Sequence, residues 1–384
     1  MRIDLKTEPR GDFEKLELRR GITIEELYKE RKEQLPYTVL AAKVDNRVAD
    51  LTFRLKKDCR VELLDMRTQA ANLIYQYSLS LIYLKAVSDC LGDVGVEIQN
   101  SLNKGMYTEI KAGRPITAKE VRTIEKRMHE IIEEDIPFVK EIVSREAMRI
   151  FEKEGRVDKQ KIMNEALNLK KVKFYSLGGV RDFFYGLMVP SSGYIEHFQL
   201  MKYRRGVLVR FPHPSNPAQI PEYTDEKKMY QAFGEQTKWD QLLGVNYVSD
   251  LNEKIENGQY RELIQISEAL HEKKIAEIAD MIKKQHKRII LIAGPSSSGK
   301  TTFARRLCIQ LKVNGLSPLY MGTDDYFVER EHTPLDEHGE PDFENLQALD
   351  IDLFNSNMNG LLSGETVDLP TFNFMTGHKE YGDR

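Results

Sequence analysis

The order of apolar and polar positions divides the chain into segments of different character. Phe13-Glu14-Lys15-Leu16-Glu17-Leu18 alternates, which is the period of a strand with one buried face. Gly21-Ile22-Thr23 then leads into Ile24-Glu25-Glu26-Leu27-Tyr28. Thr23 is placed to cap a helix there and acids fill its first turn. Val39–Val44 and Val48–Leu55 read as a hairpin about Asp45-Asn46-Arg47, and Arg60–Leu64 as a further strand. Residues 1–65 thus form a small α+β unit.

From 66 to 225 the pattern is mixed. Ala70–Val87 is apolar enough for a buried helix. Thr117-Ala118-Lys119-Glu120 is a capping box, followed by Val121, Ile124, Met128, Ile131 and Ile132 at helical spacing, and Pro137 closes that helix. Ser144 is placed to cap another helix through Phe151, ended by Gly155. Strands are expected at Tyr194–Leu200 and Gly206–Phe211. The proline cluster Pro212-His213-Pro214-Ser215-Asn216-Pro217 marks a boundary. Between 226 and 286 Leu263, Ile266, Leu270, Ile275, Ile278 and Ile282 make an apolar stripe with Lys and Glu opposite, a helical connector with a packing face.

The strongest chemical signal follows. Ile289–Ala293 is a short continuous apolar run, as in a strand buried on both faces of a parallel sheet. It enters Gly294-Pro295-Ser296-Ser297-Ser298-Gly299-Lys300-Thr301, which fits G-x-x-x-x-G-K-[ST] at every fixed position. Small residues let backbone N–H groups curl around phosphate oxygens, and the helix over Thr302–Val313 turns its positive end toward them. Gly294, Ser296, Ser297, Ser298, Gly299, Lys300, Thr301 and Thr302 are therefore the expected phosphate-binding residues. Lys300 acts as cation for the β/γ-phosphates and Thr301 as Mg²⁺ ligand. A second strand, Leu316–Gly322, ends in Thr323-Asp324-Asp325-Tyr326. Acids at a strand's carboxyl end can hold Mg²⁺ or accept a hydroxyl proton, with Asp324 the first choice and Asp325 the second.

Composition bounds these readings. The chain has 384 residues, with 57 Lys+Arg against 60 Asp+Glu and a formal net charge of −3. Its length gives room for two or three domains. Its charge balance lacks the basic excess of a non-specific nucleic-acid binder. No apolar run reaches the ~20 residues that span a bilayer. Cys59, Cys90 and Cys308 are too widely spaced for a disulfide framework, so a reducing, cytoplasmic setting and no membrane contact are expected. Eight scattered histidines have no helical metal spacing. Lys202-Tyr203-Arg204-Arg205 could touch RNA, with Tyr203 stacking on a base, or form a solvated strand end.

Several stretches carry a family resemblance. GPSSSGKTTFARRL (Gly294–Leu307), TDDYF (Thr323–Phe327), DFENLQALD (Asp342–Asp350) and LPTFNF (Leu369–Phe374) resemble the uridine kinase/phosphoribulokinase family. The resemblance implies an ATP- and Mg²⁺-dependent kinase acting on the 5′-hydroxyl of a nucleoside. Asp324 would be catalytic base and Mg²⁺ ligand beside Thr301, with Lys300 on the triphosphate. Asp325, Tyr326, Glu344, Phe372 and His378 would lie toward the acceptor. Phe372 stands where uridine–cytidine kinases carry tyrosine, and His378 one place after their histidine.

Residues 1–65 resemble a TGS domain, a β-grasp module, through RRGITIEEL and VDNRVADL. Residues 66–211 resemble the second N-terminal domain of threonyl-tRNA synthetase, through SREAMRIFEKEG (Ser144–Gly155) and YGLMVPSSGYIEHFQL (Tyr185–Leu200). Where the synthetases place a His-x-x-x-His pair and a later Cys and His, this chain has Tyr77, Leu81, Phe184 and Met188. None of these binds a borderline metal as His or Cys would, so editing chemistry is expected to be absent.

The resemblances together imply a multidomain α+β and α/β chain. Its expected parts are a TGS-like β-grasp (1–65), a synthetase editing-like α+β domain (66–225), a helical connector (226–286) and a P-loop NTPase parallel-sheet domain (287–384). A P-loop kinase sheet usually needs about five strands and roughly 150–200 residues. The last segment supplies two, so a truncated kinase of doubtful activity is expected. The rival expectation is a nucleotide-regulated protein that binds tRNA or ribosomal RNA through the TGS and synthetase-like domains.

Overall fold

The computed structural model describes residues 1–144, 171–295, 297–336 and 339–382. The helix expected after Ser144 and through Gly155 falls outside them, while Ser144 itself ends a strand. Two units are described, Met1–Asn257 and Gly258–Arg384. The described chain is mixed α+β with several separate sheets.

The first unit opens on β1 (Arg2–Lys6), β2 (Glu14–Glu17), α1 (Ile24–Arg31), β3 (Val39–Val44), β4 (Arg47–Ala49) and β5 (Cys59–Asp65). The sheet order is β2-β1-β5-β3-β4, with β1 and β5 parallel and the other pairs antiparallel. Thr23 caps α1 in a full capping box with Glu26. The expected strand Val48–Leu55 is cut short at Ala49 for a hydrogen-bonding reason. The carbonyls of Leu51 and Phe53 instead accept from the Glu25 and Ile24 amides, at 2.8 and 3.1 Å, which satisfies open donors at the start of α1. Both faces of the sheet are covered. Val61 and Leu63 pack with Ile24 and Leu27 of α1, while Leu40, Ala41 and Leu64 belong to a second, larger core.

That second core surrounds α2 (Gln69–Leu91). Leu79, Leu81, Ile82 and Tyr83 are wholly buried, as the apolar content of this stretch requires. Around it stand α3 (Ala118–Glu133), the sheet β11-β12-β7-β6 and the sheet β10-β9-β8. These strands are β6 (Gly95–Leu102), β7 (Gly105–Lys111), β8 (Val139–Ser144), β9 (Lys171–Leu177), β10 (Val180–Phe183), β11 (Gln199–Tyr203) and β12 (Gly206–Arg210). The strand expected at Tyr194–Leu200 starts only at Gln199. The His197 backbone bonds the Tyr75 hydroxyl twice, donating at 2.9 Å and accepting at 2.6 Å, and so is unavailable to a sheet ladder. The helices α4 (Lys227–Leu243) and α5 (Val248–Glu256) complete the unit.

The second unit holds α6 (Tyr260–Lys284), α7 (Lys300–Val313), α8 (Ile351–Ser363) and the antiparallel hairpin of β13 (Pro370–Asn373) and β14 (His378–Tyr381). Ile275, Ala279 and Ile282 of α6 pack against Leu307 and Leu311 of α7, so the lower half of the expected stripe is buried. The parallel sheet expected of a P-loop domain is not formed among the described residues. Ile289–Ala293 and Leu316–Gly322 belong to no strand, and Leu291 is 84% exposed. A parallel strand is stable only with backbone partners beside it and cover on both faces, and neither surrounds these runs here.

Candidate functional sites

The phosphate-loop residues sit between an extended segment and α7. Ser297 and Gly299 take left-handed backbone, φ +58° and +84°, which curls the loop ahead of the helix. Gly294 has no room for a side chain, since a Cβ would lie 2.8 Å from the Ser298 hydroxyl oxygen. The Lys300 ammonium folds back over the loop and donates to the Gly294 and Pro295 carbonyls, both at 2.8 Å. Thr301 and Thr302 are exposed on the first turn of α7, as are Ser297 and Ser298 before it. Ser296 lies outside the described residues. Donors and a cation are thus gathered at a helix N-terminus, an arrangement suited to an anion.

The acid-bearing turn Thr323–Tyr326 belongs to a different set of contacts. Asp324 is exposed, and Asp325 is half-buried with a carboxylate oxygen 3.4 Å from the Phe372 amide that donates to it. Tyr326 is buried edge-on to Phe354, its hydroxyl accepting from Asn357 at 3.1 Å. Phe372 is buried between Phe327 and Phe374. His378 meets Glu329 at 2.6 Å, while Glu344 is exposed. Burial raises the Glu329 carboxyl, but the Lys379 amide and His378 outweigh it and hold the group below its ordinary value. Asp325, Tyr326 and Phe372 are therefore brought together, with His378 paired to Glu329 on the same hairpin. Lys300 to Thr302 ride on α7.

In the first unit the four positions that correspond to the synthetase metal ligands are packed. Leu81, Phe184 and Met188 lie in the core around α2, and Tyr77 packs against it with its ring 5.9 Å from that of Phe184, edge-on. Gly186 is pressed on the Tyr77 ring so closely that a Cβ there would lie 2.2 Å away. Apolar and aromatic side chains fill the place where ligands would converge. The residues present do not fit a zinc ion.

The structure decides between the two readings of Lys202–Arg205. Tyr203 is buried edge-on against Tyr107 and Tyr230, its hydroxyl donating to Asp225 at 2.7 Å. Arg204 pairs with Asp225 and Arg205 with Glu109. The ring is not free to stack on a base, so this stretch is a satisfied strand end.

No protein-family model matches the chain. It is similar to curated threonine–tRNA ligases. It is 30% identical over 182 residues to the enzyme of Symbiobacterium thermophilum, covering 47% of this chain and 28% of that ligase. The ligase of Desulforamulus reducens gives 30% over 182 residues, 47% of this chain and 29% of the ligase. That of Caldanaerobacter subterraneus subsp. tengcongensis gives 26% over 191 residues, 50% and 30%. The chain thus spans under a third of the length of these relatives. The similarity corrects the expectation of a nucleoside kinase. The relatives carry a tRNA-ligase name and not a kinase name, and the parallel sheet a kinase site would need is not formed among the described residues. No helix of the described residues is long and apolar enough to cross a membrane.

Proposed function

We propose that this chain is a tRNA-binding protein whose first unit engages the RNA and whose phosphate loop senses a nucleotide. One observation carries the reading: about half the chain is similar to threonine–tRNA ligases, while the four ligand positions are sealed with apolar side chains. Such a domain lacks the groups for metal-assisted hydrolysis, which leaves RNA contact as the reading that the similarity supports. Further support comes from the order β2-β1-β5-β3-β4 with α1 across it, the arrangement of a TGS-type β-grasp module at residues 1–65. The synthetase-like module would be residues 66–225, the connector 226–286 and the nucleotide-responsive region 287–384.

At the loop, Lys300 and the backbone N–H groups of residues 297–302 would bind the phosphates of ATP, with the Thr301 hydroxyl as an oxygen ligand for Mg²⁺. Occupancy would bias RNA affinity by loosening the bonds from Lys300 to the Gly294 and Pro295 carbonyls, which a phosphate would replace. The test is retention of labelled tRNA on a filter by the full chain, with and without ATP and Mg²⁺. Binding that responds to ATP in the wild type and not in Lys300→Ala is expected. An ATP response that persists in Lys300→Ala would refute the sensing role.

A further inference from the structure

We infer that the outer ridge of α3 and the cleft at its far end form a binding site for single-stranded RNA. The ridge tracks phosphates and the cleft receives one nucleotide. The inference rests on the RNA-binding reading above and locates it.

Val121, Ile124, Met128 and Ile131 bury one side of α3. The opposite side presents Lys119, Arg122, Lys126 and His129, three or four residues apart and all exposed, so that they line one face over three turns. Lys119 and Arg122 form no ion pair among the described residues. Lys126 has only a long contact to Glu130, 3.8 Å. Most neighbouring acids are engaged elsewhere: Glu125 accepts from the Leu200 amide at 2.7 Å, Glu130 and Glu134 accept from Arg127, and Glu196 accepts from the Thr38 hydroxyl. The exposed Glu133 at the end of the same face offsets one of the three cations Lys119, Arg122 and Lys126. Cations left over on a chain of net charge −3 make a local positive track, which is the electrostatic footprint of a polyanion.

The track ends in a cleft of about 440 Å³ lined by His129, Glu196, His197, Phe198, Gln219 and Ile220. This volume lies within the range of small-molecule sites and suits one nucleotide. The exposed His129 ring leans on the buried Phe198 ring at 4.5 Å between centroids and 35° between planes, so Phe198 backs His129 and the imidazole is the ring a base can reach. His197 and Gln219 line the same cleft and carry hydrogen-bonding groups, which with an aromatic ring is the combination by which unpaired bases are held. Duplex RNA presents no unstacked base to such a ring, so an unpaired segment is the partner that uses both parts. None of the sealed positions Tyr77, Leu81, Phe184 and Met188 lines this cleft.

The test uses the full chain, a labelled tRNA and two double variants. Arg122→Glu/Lys126→Glu is expected to weaken binding by about tenfold or more near 100 mM salt and to flatten the log–log salt dependence by about two. His197→Ala/Gln219→Ala is expected to weaken binding with the salt slope unchanged. Ultraviolet crosslinking of 4-thiouridine-substituted tRNA should label peptides from 118–133 or 196–220. Wild-type binding with no loss in either variant and crosslinks elsewhere would overturn the inference while leaving RNA binding standing. No wild-type binding at low salt would instead overturn the functional reading. Displacement of tRNA by polyglutamate at equal charge would assign the ridge to acidic proteins and overturn the RNA commitment.

Discussion

Replacing Leu81 by alanine tests whether the synthetase-like domain has lost its metal pocket to packing. Leu81 is wholly buried at the centre of α2, within the core that holds Phe184 and Met188. Burying a leucine side chain contributes about 2 kcal/mol by transfer from water. The cavity left behind adds to that, so a cost of about 3 kcal/mol is expected within a range of about 2–5. Trp239, the only tryptophan of the chain, lies on α4 in the same unit, so its emission in urea follows that unit. With a slope of about 3 kcal/mol per M, the midpoint should fall by about 1 M. An open ligand pocket would leave the side chain in water and its loss nearly neutral. A shift below about 0.3 M with unchanged slope would therefore refute the packed account.

Two further perturbations probe local structure. The Arg114 guanidinium, the Thr117 amide and the Thr117 hydroxyl bond Glu120 and hold its carboxyl down to about 2, from an ordinary 4.5. A depressed folded-state pKa gives stability that is present above the unfolded value and lost as pH falls through the folded one. Wild-type stability should therefore drop between about pH 4.5 and 2 by more than that of Glu120→Gln, read from urea midpoints across that window; parallel curves would contradict the capping role. Gly206→Ala should destabilise by about 1–3 kcal/mol, because a Cβ there would lie 2.1 Å from the Thr108 carbonyl oxygen and 2.8 Å from the Tyr107 ring. An unchanged melting temperature would refute that contact.

Local signals were well legible in the sequence. The capping boxes at Thr23 and Thr117, the buried helix α2 and the Gly-Lys-Thr helix start are all set by neighbours within a few residues, and the structure has each of them. What was not legible depends on distant partners. The Tyr75 hydroxyl delays β11, and the amides of α1 take the carbonyls that would have extended β4. The apolar runs Ile289–Ala293 and Leu316–Gly322 look like strands locally, yet strand formation depends on a neighbouring backbone that is not beside them among the described residues. The strand β1, with two buried positions between charged ones, was short enough to pass unnoticed. At the sites, the apolar replacement of the synthetase ligands was readable position by position. The ridge Lys119, Arg122, Lys126 and His129 has helical spacing in the sequence, but its sparse ion pairing among the described residues and the cleft at its end depend on residues distant in the chain, such as Leu200 and Gln219. Tyr203 shows the reverse case, an apparent stacking residue that proved to be packed.

The central claim is that this chain binds tRNA, and the affinity for tRNA as a function of salt tests it most directly. Filter binding of labelled tRNA to the full chain between about 50 and 200 mM salt should give a straight log–log plot with a slope of about −2 or steeper, as three phosphate-contacting cations on a single strand require. No retained tRNA at the lowest salt, or an affinity that ignores salt, would contradict the account.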